Sequence, residues 1–332
     1  MASAAYKNGV NAIRKRFRLG HVLMFLVSCI ATIFFLFPIF WWFLSSLKPF
    51  GKIFHSPPVY TGFEPTLSWY RTVLLNESYV TQEIQSTGAV TGEGGGSYYS
   101  VPFLMNSIIA ALVSTLIVTV LAAMAGYGLS RFNIRGKVHI VFWILSTRMM
   151  PPVAVAVPLY LMYQSAGLLD SRLGLILIYV AMNLPLGVLL MKSFFDDVPR
   201  DFDDAALVDG ATRFQAFRMV ALRYVWSGLA ATAILAFIFA WNEFLFALVL
   251  SGDHSRTMPV AASTFVTSYG TEWGYLAALG STAMIRLSCL SSLSNATSCA
   301  GLPWGDFVSR ETAKDGGSIC RPSAKWYRGF LN

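Results

Sequence analysis

The sequence predicts an all-α, polytopic transmembrane helical bundle. Three observations lead there. Of 332 residues, 55% are hydrophobic and 13% are charged, about half the ~25% charged residues usual in soluble domains. The apolar residues gather in uncharged runs long enough for the ~20 residues that a spanning helix needs. The 25 Lys and Arg outnumber the 17 acidic residues and give a net charge of +8, and they cluster between alternate runs. A disordered chain, a secreted disulfide scaffold and an ordinary cytosolic enzyme are thereby excluded. The basic excess suits cytoplasmic loops and calls for no nucleic acid. Cys29, Cys289, Cys299 and Cys320 have no CxxC or metal-ligand spacing, so no zinc or redox centre is expected.

A basic segment, 1–20, opens the chain with Arg14, Lys15, Arg16 and Arg18. The first uncharged run follows, from Val22 to Leu47. It is longer than the ~7–15 residues of a signal-peptide core, and no A-x-A-like site follows it. A retained first span is expected. The segment 48–100 is polar and broken by Pro57-Pro58 and Gly94-Gly95-Gly96, the marks of a long external loop. A short helix is expected at Ser68–Leu75, and Asn76-Glu77-Ser78 is a sequon match of little weight.

The second span is expected at Val101–Ser130, followed by Arg131, Arg135 and Lys137. The third is expected at about Val138–Tyr163, with Arg148 ahead of Pro151-Pro152. The fourth lies at about Leu173–Met191, and the fifth at about Tyr224–Leu250 with Asn242-Glu243 inside it. A sixth begins near Trp273 and is cut short at Arg286, giving five clear spans and a truncated sixth within a permease domain of residues 21–285. With the N-terminus inside, segments 1–20, 131–137 and 192–223 carry thirteen Lys and Arg, against five on the outer segments. The positive-inside rule therefore puts the N-terminus in the cytoplasm.

The cytoplasmic loop 192–223 is the most informative stretch. Pro199 suits a helix start, and Asp201, Asp203 and Asp204 favour the helix dipole in the first turns. Phe202, Ala205, Ala206 and Asp209 share the i, i+3, i+4, i+7 spacing of one face. Gly210 ends that helix, and Thr212 with Gln215 reads as a capping box for a second one, on which Phe214 and Phe217 share a face. A helix–Gly–helix elbow results. It would either lie on the bilayer or plug a groove on a partner.

These residues resemble the EAA loop of binding-protein-dependent ABC transporter permeases, whose pattern is E-A-A, three residues, G, nine residues, then I-x-L-P. Here Asp204-Ala205-Ala206, Gly210, Val220 and Leu222 keep the spacing, with Asp204 in place of Glu and Arg223 in place of Pro. The segments "NSIIAALVSTLIVTVLAAMAGYGLSRF", "MMPPVAVAVPLYLMYQSAGLLDSRLGLIL", "NLPLGVLLMKSFF" and "FAWNEFLFALVL" resemble the carbohydrate-uptake, maltose-type branch. The resemblance spans about Arg18 to Ile285. It implies a multi-pass subunit of the bacterial inner membrane that forms a path for a sugar or polyol. Its partners would be an ATPase dimer, a second permease subunit and an extracytoplasmic solute-binding protein, with lipid around the spans. The coupling positions it implies are Asp204, Ala205, Ala206, Asp209, Gly210, Val220 and Leu222. The sequence has no G-x-x-x-x-G-K-[ST] of its own, so ATP would be bound by the partner. No catalytic residue and no cofactor are expected.

Ionisable groups inside spans are costly and mark cavities or partners. Glu243, beside Asn242, lies about 10 Å from the outer end of span five at ~1.5 Å per residue. It reads as a solute-path or gating residue, or as a structural hydrogen-bonding one. Arg148 reads as a partner for carbonyls freed by Pro151 and Pro152, as a solute contact, or as a mate for Glu243. Trp41, Trp42, Trp69, Trp226 and Trp241 read as interfacial anchors. Two other functional readings stand beside the permease: an ion-coupled secondary transporter using Glu243, and a non-functional truncated permease.

The tail 286–332 breaks the pattern. It reads "RLSCLSSLSNATSCAGLPWGDFVSRE" at its start, rich in Leu, Ser and Cys. Codons for Ser, Cys, Phe and Trp mostly begin with T, which becomes the second base of a shifted codon, where T encodes only apolar residues. The run is therefore what a hydrophobic helix looks like out of frame, and a frameshift near Ile285 is expected.

Overall fold

The computed structural model describes residues 2–53, 55–75, 99–267 and 270–284. The tail with Cys289, Cys299 and Cys320, the sequon and the Gly94–Gly96 cluster lie outside them. The described residues are helical nearly throughout. Apart from connecting loops, the regular structure that is not helical among them is one antiparallel pair of two-residue strands, β1 (Val266–Thr267) and β2 (Gly270–Thr271). The chain divides into two compact units, 1–99 with 265–282, and 100–264 with 283–332.

In the first unit, α1 (Ala2–Ser45) contains an apolar stretch, Leu23–Ser45, long enough to span. Its side chains from Leu23 to Phe40 are almost all exposed, as expected of a surface meant for lipid or another subunit. Beyond it lie α2 (Phe50–Ile53) and α3 (Ser68–Leu75), the latter with the bounds the sequence suggests. Trp69 of α3 is 2% exposed. Its indole N–H donates to the Lys48 carbonyl at 2.7 Å, and its ring packs edge-on to Tyr275. Trp69 is thus a core residue and not an interfacial anchor. Lys48 is itself buried, with Nζ 3.9 Å above the Trp41 ring, and burial pushes its amine below the ordinary range. Residues 273–284 are helical, beginning where the truncated sixth run begins.

The second unit is built on α4 (Val101–Arg131) and α7 (Arg172–Asp196), both long and apolar enough to cross a membrane. They meet through small residues. A Cβ on Gly126 would lie 2.8 Å from the Lys192 nitrogen and from the Met191 Cβ, and one on Gly187 would lie 3.0 Å from the Ala122 Cβ. Small residues let backbones approach where no hydrophobic force joins helices in lipid. Around this seam Tyr127, Val188, Met191, Phe195, Phe217 and Val225 form the core.

Two expected spans are broken. The third is α5 (Lys137–Met149) and α6 (Pro152–Ser165), meeting at 91°. Pro151 and Pro152 lack the N–H groups that would continue a helix, and the residue before a proline is pushed to extended backbone. Met150 has ψ 129°. The fifth is α11 (Trp226–Trp241) and α12 (Leu245–Leu250), interrupted at 242–244. Trp241 is 5% exposed and packed inside, another correction to the anchor reading, whereas Trp226 is exposed. The described residues thus hold three helices able to cross a membrane, or up to five if α5 with α6, and residues 213–224 with α11, each count as one bent span.

Candidate functional site

The loop after α7 folds as the expected elbow. Its first helix is α8 (Asp201–Val208), with Asp201, Asp203 and Asp204 in the first turn. It stops at Gly210, whose φ of +89° is left-handed. The Ala211 N–H reaches the Ala206 carbonyl at 3.0 Å and the Gly210 N–H reaches the Leu207 carbonyl at 3.1 Å, the paired bonds of a Schellman stop. The second helix begins at α9 (Arg213–Ala216) with the reciprocal Thr212–Gln215 capping box. It continues through a π-helical turn, Phe217–Ala221, into α10 (Leu222–Tyr224). Val220 lies in the π turn, and Leu222 packs against the core. The chain then turns by 80° into α11 at Val225. Arg223, where a proline was expected by resemblance, is exposed and lies in the short helix just before that bend.

The face of α8 that the spacing suggested is largely outward, Phe202 included. Asp204, Ala205, Asp209 and Gly210 are exposed, Val208 is 88% exposed, and Ala206 is half-buried. Asp203 is turned inward. Its Oδ2 accepts from Arg131 Nε at 2.5 Å, and the two side chains are only 8% and 6% exposed. Arg131 Nη2 also donates to the Val198 carbonyl, and Arg200 Nη2 to the Ser130 carbonyl, each at 3.0 Å. The Ser130 hydroxyl donates to Asp196, which Lys192 also holds. The last turn of α4 is thus tied to the chain leading into the elbow. Sequence reasoning gave Asp203 only a dipole role. Arg131, the first charge after thirty uncharged residues, was the available signal. Beside the elbow, Met124, Tyr127, Phe132, Arg213, Phe214 and Phe217 line an apolar cavity of about 230 Å³.

The candidate path residues are separate from the elbow and from each other. Glu243 lies at the break between α11 and α12. Its Oε1 accepts the Phe246 N–H and its Oε2 the Ala247 N–H, both at 2.9 Å, so the carboxylate caps α12, where N–H groups otherwise lack partners. Asn242 donates to the Ile238 carbonyl at 2.8 Å and is exposed. Arg148 donates to the Met182 carbonyl of α7 at 2.9 Å, and its guanidinium lies 5.0 Å from the Phe239 ring centre. Its acceptor is therefore next to the carbonyl freed by Pro185, not one beside Pro151 and Pro152. Ion pairs join Arg131 to Asp203, Lys192 to Asp196 and Arg256 to Asp253. None joins Arg148 to Glu243.

Residues 118–296 match the family described as "Binding-protein-dependent transport system inner membrane component". The chain belongs to this family. It is 34% identical, over 80% of its length and 89% of the relative's, to a probable ABC transporter permease of Sinorhizobium fredii. It is 29% identical to the trehalose/maltose transport system permease protein MalG of Thermococcus litoralis, over 86% of this chain and 96% of the other. With the diacetylchitobiose uptake system permease protein DasC of Streptomyces coelicolor it shares 27%, over 88% and 98%. A crystal structure of a bacterial ABC transporter involved in import of the acidic polysaccharide alginate superposes with a TM-score of 0.64 at 19% identity. That match covers 84% of this chain and 96% of the other and shows a shared fold. The chain is therefore an integral membrane transport component, a permease subunit of an ABC importer.

Proposed function

We propose that this permease, paired with a second permease subunit, forms the path for a sugar or related polyol across the bacterial inner membrane. The substrate class follows from relatives whose names give diacetylchitobiose, trehalose and maltose. The permease domain is 21–285, with the N-terminus cytoplasmic and the loop 48–100 outside. A separate ATPase dimer binds ATP and receives the elbow, and an extracytoplasmic binding protein delivers the solute. The observation that carries this reading is the exposed face of α8. Asp204, Ala205 and Val208 stand outward beside the Gly210 stop on a helix fixed from behind by Arg131. Small side chains on a braced helix suit insertion into a groove. Asp209 is exposed beside that face, Val220 lies in the π turn, and Leu222 packs the second helix against the core.

Glu243 is engaged at the α12 N-terminus, which weighs against its use as the proton site of a secondary transporter. The frame change near residue 285 belongs to this reading too. An intact frame on resequencing would overturn that part alone. The docking surface is tested with Ala205→Trp, a large side chain on an exposed position. Membrane yield should match wild type while co-purified ATPase is lost. Full retention of the ATPase would contradict the proposal.

A further inference from the structure

We propose that the Arg131–Asp203 ion pair is the joint through which the elbow moves α4, and that α4 carries the movement to the outer segment 252–258. The inference rests on the proposed docking of the elbow and names the residues that transmit its motion.

The two ends of α4 are fastened differently from its middle. At the inner end Arg131 makes the two contacts already described, one to Asp203 within α8 and one to the Val198 carbonyl. Asp203 has a second oxygen, Oδ1, buried without a hydrogen-bond partner, so Arg131 is its only compensating charge among the described residues. Removing one member of such a pair strands the other away from water. Near the outer end lies Asn106, 1% exposed. Its Nδ2 donates to the carbonyls of His254 at 2.8 Å and Arg256 at 3.0 Å, and its Oδ1 accepts from Arg172 Nε at 2.8 Å. The neighbouring Ser107 hydroxyl accepts the Met258 N–H at 2.7 Å. The two fastenings lie on one continuous helix of 31 residues, about 37 Å apart at ~1.5 Å per residue.

Between them α4 has no slack against α7. At Gly126 and Gly187 there is no room for even a Cβ without a contact of 2.8–3.0 Å, and close-packed interiors transmit displacement instead of absorbing it. A push on the elbow that shifts Asp203 must therefore shift α4 or break a buried ion pair. Linkage makes the path two-way. If closure of the ATPase shifts the outer segment, a load on the outer segment biases ATPase closure by the same free energy.

The experiment uses the complete transporter in lipid nanodiscs, with ATPase, both permeases and solute-loaded binding protein. It reads the stimulation of ATP hydrolysis by the binding protein, per assembled complex. Asp203→Asn keeps the side-chain shape and removes the charge. Arg131→Lys keeps the charge and loses the planar fork. Each should retain co-purified ATPase and lower the stimulation at least about five-fold, the low end of typical coupling. Combining them should lose no more than the worse single variant, as for two sides of one contact. Stimulation within about two-fold of wild type in both variants overturns the joint. So does a double variant whose losses multiply. A purely structural role would lower yield and thermal midpoint while leaving stimulation per complex unchanged, which also overturns it. Absence of the ATPase from the purified wild-type complex would instead reject the docking reading.

Discussion

Asp170 holds Ser255 by two hydrogen bonds to one carboxylate oxygen, from the backbone N–H and from the hydroxyl, both at 2.8 Å. The same oxygen accepts the Gly252 N–H at 2.8 Å, and the other accepts the His254 N–H at 3.2 Å. Asp170, itself at φ +50°, thereby fixes the turn that Asn106 grips from the other side.

That relationship has a pH signature. Burial pushes the Asp170 carboxyl up, but the bonds from Ser255, His254 and Gly252 outweigh it and hold the group below its ordinary value. A carboxyl depressed in the folded state stabilises fully above its unfolded pKa of ~3.9, and the gain fades as pH falls through the lower folded value. Asp170→Ala should cost about 1–2 kcal/mol at pH 7. The gap between variant and wild-type unfolding midpoints should stay constant from about pH 5 to 8 and narrow only below ~4. A gap that changes between pH 6 and 8 would point to another group.

The α4–α7 seam predicts opposite outcomes for two glycines only two residues apart. Gly126→Ala forces a methyl into the backbone of Lys192 and should destabilise by about 1–3 kcal/mol. Gly128 has nothing within 4 Å of an added Cβ, so Gly128→Ala should be neutral or stabilise by up to ~1 kcal/mol. Thermal midpoints in detergent compare them directly, and equal effects would refute the seam.

Gly210 is a conformational position, not a packed one. An added Cβ meets open space there, but the left-handed φ remains. Gly210→Val should reach the membrane in normal amount yet uncouple transport, because relief of the backbone strain re-aims α9 against α8. Gly210→Asn, which tolerates this conformation, should retain most uptake. Wild-type uptake and ATPase docking in Gly210→Val would count against the elbow.

Glu243 separates capping from ion coupling. Glu243→Gln keeps an acceptor for the α12 N–H groups and should preserve ATP-dependent uptake. Glu243→Ala should cost about 0.5–2 kcal/mol, as loss of a cap does. Complete loss of uptake in the Gln variant, with unchanged yield, would favour a proton-coupled role.

Local signals in the sequence carried the elbow well. The Gly210 stop, the Thr212–Gln215 box and α3 all form from residues a few positions apart, so their chemistry is visible in order along the chain. What was not legible depends on partners far away. Nothing near Asp203 announces that its carboxylate turns inward, because its mate Arg131 is 72 positions earlier. Apolar content alone cannot distinguish a straight span from one bent by 91° or interrupted at Asn242. The prolines at 151–152 mark the first of these breaks, and no proline marks the second. Trp69 and Trp241 have the composition of anchors, but neighbours brought in by the fold bury them.

The central claim is that this permease moves a sugar or polyol by borrowing ATP hydrolysis through its elbow. It is tested most directly by uptake of labelled di- and oligosaccharides into proteoliposomes holding the complete transporter. The account predicts accumulation that requires both ATP at the cytoplasmic face and loaded binding protein at the other, and that disappears in Ala205→Trp. Uptake that persists without ATP or without binding protein, or that follows an imposed proton gradient, would contradict it.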